Sequence, residues 1–129
     1  MPLPPAFKVV RLELARSKDF PNGSPQRGYE FVAPLDTAGR IDVEHWRQHR
    51  EDCRVHRFWQ GEDDQNGLLR RKPGGSEHAQ WIFDYDKSRA DDDEAGYRLG
   101  AHVFAPGEYV TIQDEDGANT FKVVSVDPV

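Results

Sequence analysis

Apolar and polar positions alternate over most of the chain, and that alternation predicts a mainly β protein. In Phe7–Ala15 (FKVVRLELA), Val10, Leu12 and Leu14 share one face while Arg11 and Glu13 take the other. This is the two-residue period of a half-buried strand. The run from Asp19 to Gly28 is dense in Pro, Gly, Asn and Ser and reads as a loop. Tyr29–Leu35 returns to strand chemistry, with Tyr29, Phe31 and Ala33 on one face. Cys53–Trp59 (CRVHRFW) reads as another strand, and Gly61–Gly67 as a turn cluster. Leu68–Lys72 and Glu77–Tyr85 flank Pro73-Gly74-Gly75 as a hairpin, with Ala79, Trp81, Phe83 and Tyr85 on one face. Asp86–Gly96 reads as an acidic loop and Tyr97–Phe104 as a strand that Gly100 could bend. The clearest hairpin joins Glu108–Gln113 to Thr120–Val126 through Asp114–Gly117, with Val110 and Ile112 toward the core.

One helix is signalled. Asp42 can cap its first turn through a carboxylate that accepts free amides. Ile41 and Trp46 take the two positions of a hydrophobic staple. The helix is expected from Val43 to about Asp52, with Val43, Trp46, Arg50 and Cys53 on one side. The fold class is therefore mainly β (α+β): about seven short antiparallel strands rolled into a small open barrel, with one helix over an end. The alternation of strands and helices that marks a parallel α/β sheet is missing. Met1-Pro2-Leu3-Pro4-Pro5 lacks the features of a signal peptide, so residues 1–6 are expected as an extended arm before a single domain, 7–129.

Composition and charge adjust this picture. The apolar share of 36% is low for a globular chain, so a modest core with long hydrated loops is expected. A single cysteine, Cys53, excludes a disulfide scaffold and suits the cytoplasm. No stretch is apolar enough for a membrane span, so no membrane partner is expected. The net charge of −6 opposes general attraction to nucleic acid or anionic lipid. The charge is uneven, however. From Arg40 to Lys72 there are eight Lys/Arg against seven Asp/Glu, and the rest of the chain carries nine against sixteen.

Three segments carry a resemblance. Gly28–Asp36 (GYEFVAPLD), Cys53–Trp59 (CRVHRFW) and Pro106–Ile112 (PGEYVTI) resemble parts of a family of small uncharacterised proteins from alphaproteobacteria. The resemblance implies a bacterial source. It supplies no activity and no site.

The candidate chemistry is therefore read from the residues. His45, His49 and Cys53 recur every four residues on the expected helix, with His56 beyond. Imidazole and thiolate at that spacing can chelate zinc. Arg47, Arg50 and Arg54 would repel the cation, and the metalloprotease order of residues is missing, so no metal is assigned. A nucleophilic Cys53 would need a base and a lowered pKa; an inert, buried thiol is the simpler expectation. Glu62, Asp64, Asn66 and Gly67 imitate the start of a calcium loop, but Pro73 stands where the bidentate glutamate belongs. Lys72–Ser76 lacks the strand–loop–helix setting of a phosphate loop. The richest set is Arg54, Arg57, Phe58, Trp59, Arg70, Arg71 and Lys72. Arginine forks grip anions and aromatic faces stack on planar ligands. The expectation is a non-enzymatic binding domain using Arg54, Arg57, Trp59, Arg70 and Arg71, without a cofactor. Arg57, Arg70 and Arg71 should be accessible and close together. The partner is an unknown protein or a small anionic ligand, with nucleic acid the weaker option. The alternative is a small enzyme with a His/carboxylate site.

Overall fold

The structure is a computed structural model, and it describes residues 6–72, 80–84, 94–96, 103–114 and 117–129. Eight strands follow one another: β1 (Phe7–Leu14), β2 (Ser24–Pro34), β3 (Arg54–Trp59), β4 (Gln65–Lys72), β5 (Gln80–Asp84), β6 (Glu94–Gly96), β7 (Tyr109–Asp114) and β8 (Gly117–Pro128). All neighbouring strands pair antiparallel in chain order. β8 then returns to β1 over a long register, Lys8↔Pro128 to Leu14↔Phe121, so the sheet rolls up on itself. The thin seam lies between β6 and β7, which share the single pair Ala95↔Gln113. The small antiparallel barrel expected from the alternation is the observed fold, and the extra strand is the three-residue β6.

Period-two alternation explains how each strand divides its side chains. Val10, Leu12 and Leu14 of β1, Tyr29, Phe31 and Ala33 of β2, and Val110 and Ile112 of β7 all point inward and are buried. Trp81 and Phe83 of β5 join them, whereas the flanking positions 79 and 85 lie outside the described residues. Aromatic rings fill the interior. Phe83 packs against Tyr29 at 5.1 Å and Phe31 at 5.6 Å between centroids, and Tyr29 meets Phe121 edge-on at 5.1 Å. Such tilted and edge-on pairs suit the ring quadrupoles better than flat stacking.

The connection from β2 to β3 carries the helix α1 (Val43–Gln48) and a 3-10 turn at Arg50–Asp52. Asp42 caps α1, accepting the His45 amide at 3.2 Å. The His45 hydrogen bonds, from side chain and backbone, hold the Asp42 carboxyl below its ordinary pKa. Ile41 and Trp46 are both buried, as the staple requires. Trp46 docks the helix: its indole N–H donates to the Leu69 carbonyl at 2.9 Å, and its ring meets Trp81 edge-on at 5.0 Å.

Two expectations along this stretch are corrected. The α-helix ends at Gln48, not near Asp52, because the His49 amide closes on the Trp46 carbonyl and the chain tightens. Of the acidic loop expected over Asp86–Gly96, Glu94–Gly96 instead form β6, paired with β5, and 86–93 lie outside the described residues. For the expected strand Tyr97–Phe104, 97–102 lie outside the described residues, and Val103 and Phe104 are not in a strand. Residues 1–5 of the expected arm also lie outside them.

Candidate binding surface

The structure separates the five predicted binding residues. On β3, Val55 and Arg57 face the interior and Arg54, His56 and Phe58 face out. Arg57 lies opposite Tyr29 on β2 and Gln65 on β4. It is only 7% exposed. Its Nη1 donates to Glu62 Oε1 at 3.0 Å, and its guanidinium lies 4.5 Å from the Trp59 ring centroid. Arg70 and Arg71 stand at the other end of β4, opposite Ile82 and Trp81. Five residues of strand, roughly 17 Å, divide Gln65 from Arg70. The expected accessible cluster of Arg57, Arg70 and Arg71 is therefore absent: Arg57 is buried and lies at the far end of the barrel. The physical reason is parity. Once Tyr29 and Val55 point inward, Arg57 must follow, with Glu62 pairing its charge through Nη1 and the Trp59 ring covering its guanidinium.

Each other member has its own setting. Trp59 is half-buried, with Arg57 against its ring and Phe121 6.3 Å away, so it is not an open stacking face. Arg70 is half-buried and bound through Nε to Asp84 Oδ2 at 3.2 Å. Arg71 is exposed, with its guanidinium 6.0 Å from the Trp81 ring. Arg54 is exposed and makes no ion pair with a described residue.

The His/Cys stripe does not converge. His49 is the C-cap of α1 rather than part of it, so the four-residue helical spacing breaks there. His45 Nδ1 pairs with Asp42 at 2.9 Å, and His49 Nδ1 lies 3.5 Å from Asp52. Among the described residues, no group of three His, Cys, Asp or Glu side chains is placed to hold a metal ion. Cys53 is fully buried, and burial with the charge of Asp52 pushes its thiol up to about 12 from an ordinary 9.0. A nucleophile needs the opposite shift. In native protein at pH 8, Cys53 should resist a thiol-specific disulfide reagent for hours and react at once in denaturant. Rapid native labelling would contradict this burial. The same shift makes stability fall as pH rises above about 9, where the unfolded thiol ionises and the folded one does not. The calcium imitation is dispersed too: Glu62 binds Arg57, and Asp64 holds His56 Nε2 at 2.9 Å. Residues 73–76 of the glycine turn, and Asp86 and 91–93 of the acidic run, lie outside the described residues.

What the structure does assemble is a groove of about 610 Å³ on the outer face of the sheet. It opens where β3 parts from β2 beyond the pair Phe31↔Val55. Arg54 and Glu51 stand at its rim, Val9, Val32 and Leu68 supply apolar wall, and His56 and Asn66 line it with Glu30 and Asp84. Most of the charge is spoken for. Glu30 is bound by Arg11 at 2.9 Å, Asp84 by Arg70, and His56 by Asp64. Arg11 also binds Glu13 at 2.9 Å and covers the Phe58 ring at 4.3 Å. Burial works against its charge, but these carboxylates outweigh burial and raise its pKa. Arg54 is thus the cation that the groove leaves open. This groove was invisible in the sequence, because Val9, Val32, Arg54 and Leu68 come from four separate strands.

Searches against family models, curated proteins and solved structures found no match. The assignment therefore rests on geometry alone. No helix among the described residues is long and apolar enough to cross a membrane.

Proposed function

We propose that the protein is a non-enzymatic binding domain whose contact surface is the outer groove at Arg54. The ligand is a small anion or an acidic side chain of a partner protein. The observation that carries this reading is the state of Arg54: an exposed guanidinium beside the apolar Val9, Val32 and Leu68, with no carboxylate among the described residues closing it off. A guanidinium is weakly hydrated and forks onto carboxylate or phosphate, so an open one beside apolar wall favours an anion with an apolar body. Arg57, Trp59 and Arg70 are removed from the contact surface by their own partners. Arg71 shares the face of β4 that carries the buried Leu69 and lies opposite Trp81, so it too falls outside this surface. The cytoplasm remains the proposed compartment, on the strength of the lone thiol.

A small enzyme is the second reading, because His56 and three carboxylates border the same groove. Against it, His56, Glu30 and Asp84 are each held by a neighbour rather than aimed at one point. One experiment addresses both. Backbone amide NMR shifts are followed while small carboxylates and phosphate esters are added one at a time. The expected result is a set of shifts confined to Val32, Arg54, His56, Asn66 and Leu68, lost in Arg54→Glu. Compounds that leave every one of these amides unmoved would sink the reading. Product signals growing in the same tubes would favour the enzyme.

A further inference from the structure

A second groove, of about 600 Å³, lies across the outer face of β1, β7 and β8, away from Arg54. Its floor is a cross-strand row. Tyr109 of β7 stands opposite Lys122 of β8, and Lys122 opposite Glu13 of β1. Arg16 and the turn Pro21–Ser24 form the wall. Tyr109 is 55% exposed, the only large aromatic side chain so exposed among the described residues. The barrel has room inside for other rings, but the alternation that sends Val110 and Ile112 inward sends Tyr109 out. Burial does not explain it.

Two cations, Arg16 and Lys122, line the groove with Tyr109. Neither Arg16 nor Lys122 makes an ion pair with a described residue. The nearby carboxylate, Glu13, is engaged by Arg11 Nε at 2.9 Å, a guanidinium it shares with Glu30. The result is an open aromatic face flanked by two available cations, on a protein whose overall charge is negative. Local fields of this kind act within about a Debye length, so the net charge does not cancel them at the site.

We infer that this groove binds a nucleotide, with the base stacked on Tyr109 and the phosphate between Lys122 and Arg16. Two features select that chemistry. A planar ring gains from the exposed phenol face, and a phosphate gains from paired cations; a nucleotide carries both at a fixed distance. A free nucleotide and a unit within a single strand present the same groups. The two sources are separated by experiment.

The test uses the full chain at low salt with two probes, adenosine 5′-monophosphate and a fluorescein-labelled ten-residue oligo(dT), with inorganic phosphate as competitor. Binding is read by chemical-shift change for the nucleotide and by fluorescence polarisation for the oligonucleotide. Tyr109→Ala should weaken binding about tenfold, while Tyr109→Phe, which keeps the ring, should retain it. Lys122→Gln and Arg16→Gln should each weaken binding and flatten its salt dependence by about one phosphate contact. All three positions are exposed, and circular dichroism checks that the variants stay folded. Binding of both probes assigns the site to nucleotides in general; binding of the oligonucleotide alone assigns it to single strands. Arg54→Glu should leave binding unchanged, which separates this site from the first groove. The inference is overturned by no binding of either probe, by binding indifferent to Tyr109→Ala, or by phosphate competing as well as unlabelled nucleotide.

Discussion

Gly28→Ala should destabilise this barrel more than any other change of a single methyl group. Gly28 lies where β2 passes β1, paired with Glu13 beside a shift in register. A Cβ there would sit 1.9 Å from the Leu12 carbonyl oxygen and 2.9 Å from its carbon. Both are backbone atoms, and β1 cannot retreat because β8 holds its other edge. Overpacked side chains cost about 1–3 kcal/mol when a neighbour can turn aside. Here no rotamer relieves the clash, so a loss of at least about 3 kcal/mol is expected. The measurement is the urea midpoint of the variant against wild type. Gly61→Ala is the control. Gly61 has φ +89° but nothing within 4 Å of an added Cβ, so only backbone strain applies, on the order of 1–2 kcal/mol. If Gly28→Ala were the milder of the two, the close passage of β1 and β2 would be wrong.

Phe83→Ala carries the other large effect. Phe83 is fully buried and touches the rings of Tyr29 and Phe31, so it ties β5 to β2 through the middle of the barrel. Removing a buried phenyl ring costs about 3–5 kcal/mol, as lost transfer energy plus an incompletely collapsed cavity. For a chain of this size that corresponds to a drop in Tm on the order of 10 °C or more. Phe83→Leu keeps most of the volume and should lose much less. Calorimetry on both variants makes the comparison. A Phe83→Ala loss below about 1 kcal/mol would mean that β5 is not packed into the core.

Both effects follow from how the chain closes, and they mark how far the sequence could be read. The alternation in β1, β2 and β7 identified their inward residues correctly, because a sheet with one buried face allows one parity only. Asp42 and the Ile41/Trp46 staple announced the start of the helix, because capping depends on residues a few positions apart. Its end was illegible. No Gly or Pro stops it; the His49 amide closing on the Trp46 carbonyl does.

β3 shows the same division most sharply. Its residues alternate as Arg54, His56, Phe58 against Val55, Arg57, Trp59, with an aromatic and an arginine on each side. Hydropathy along the strand cannot choose between those faces. The neighbours choose: Tyr29 and Leu69 face inward, so Val55 and Arg57 do as well. An accessible Arg57 was a reasonable reading of composition and is wrong for that reason.

Charge pairing lies still further from the sequence. Arg11 meets Glu30, and Arg70 meets Asp84, across separations that only strand register fixes. Those pairings decide which cations remain open. By itself the sequence determined the class of fold, the inward face of most strands and the helix start, because each depends on near neighbours in the chain. The tertiary structure alone decided which arginines are buried, which are neutralised, and which stand open at Arg54 and beside Tyr109. Electrostatic availability depends on where distant segments meet, and local periodicity carries no record of that.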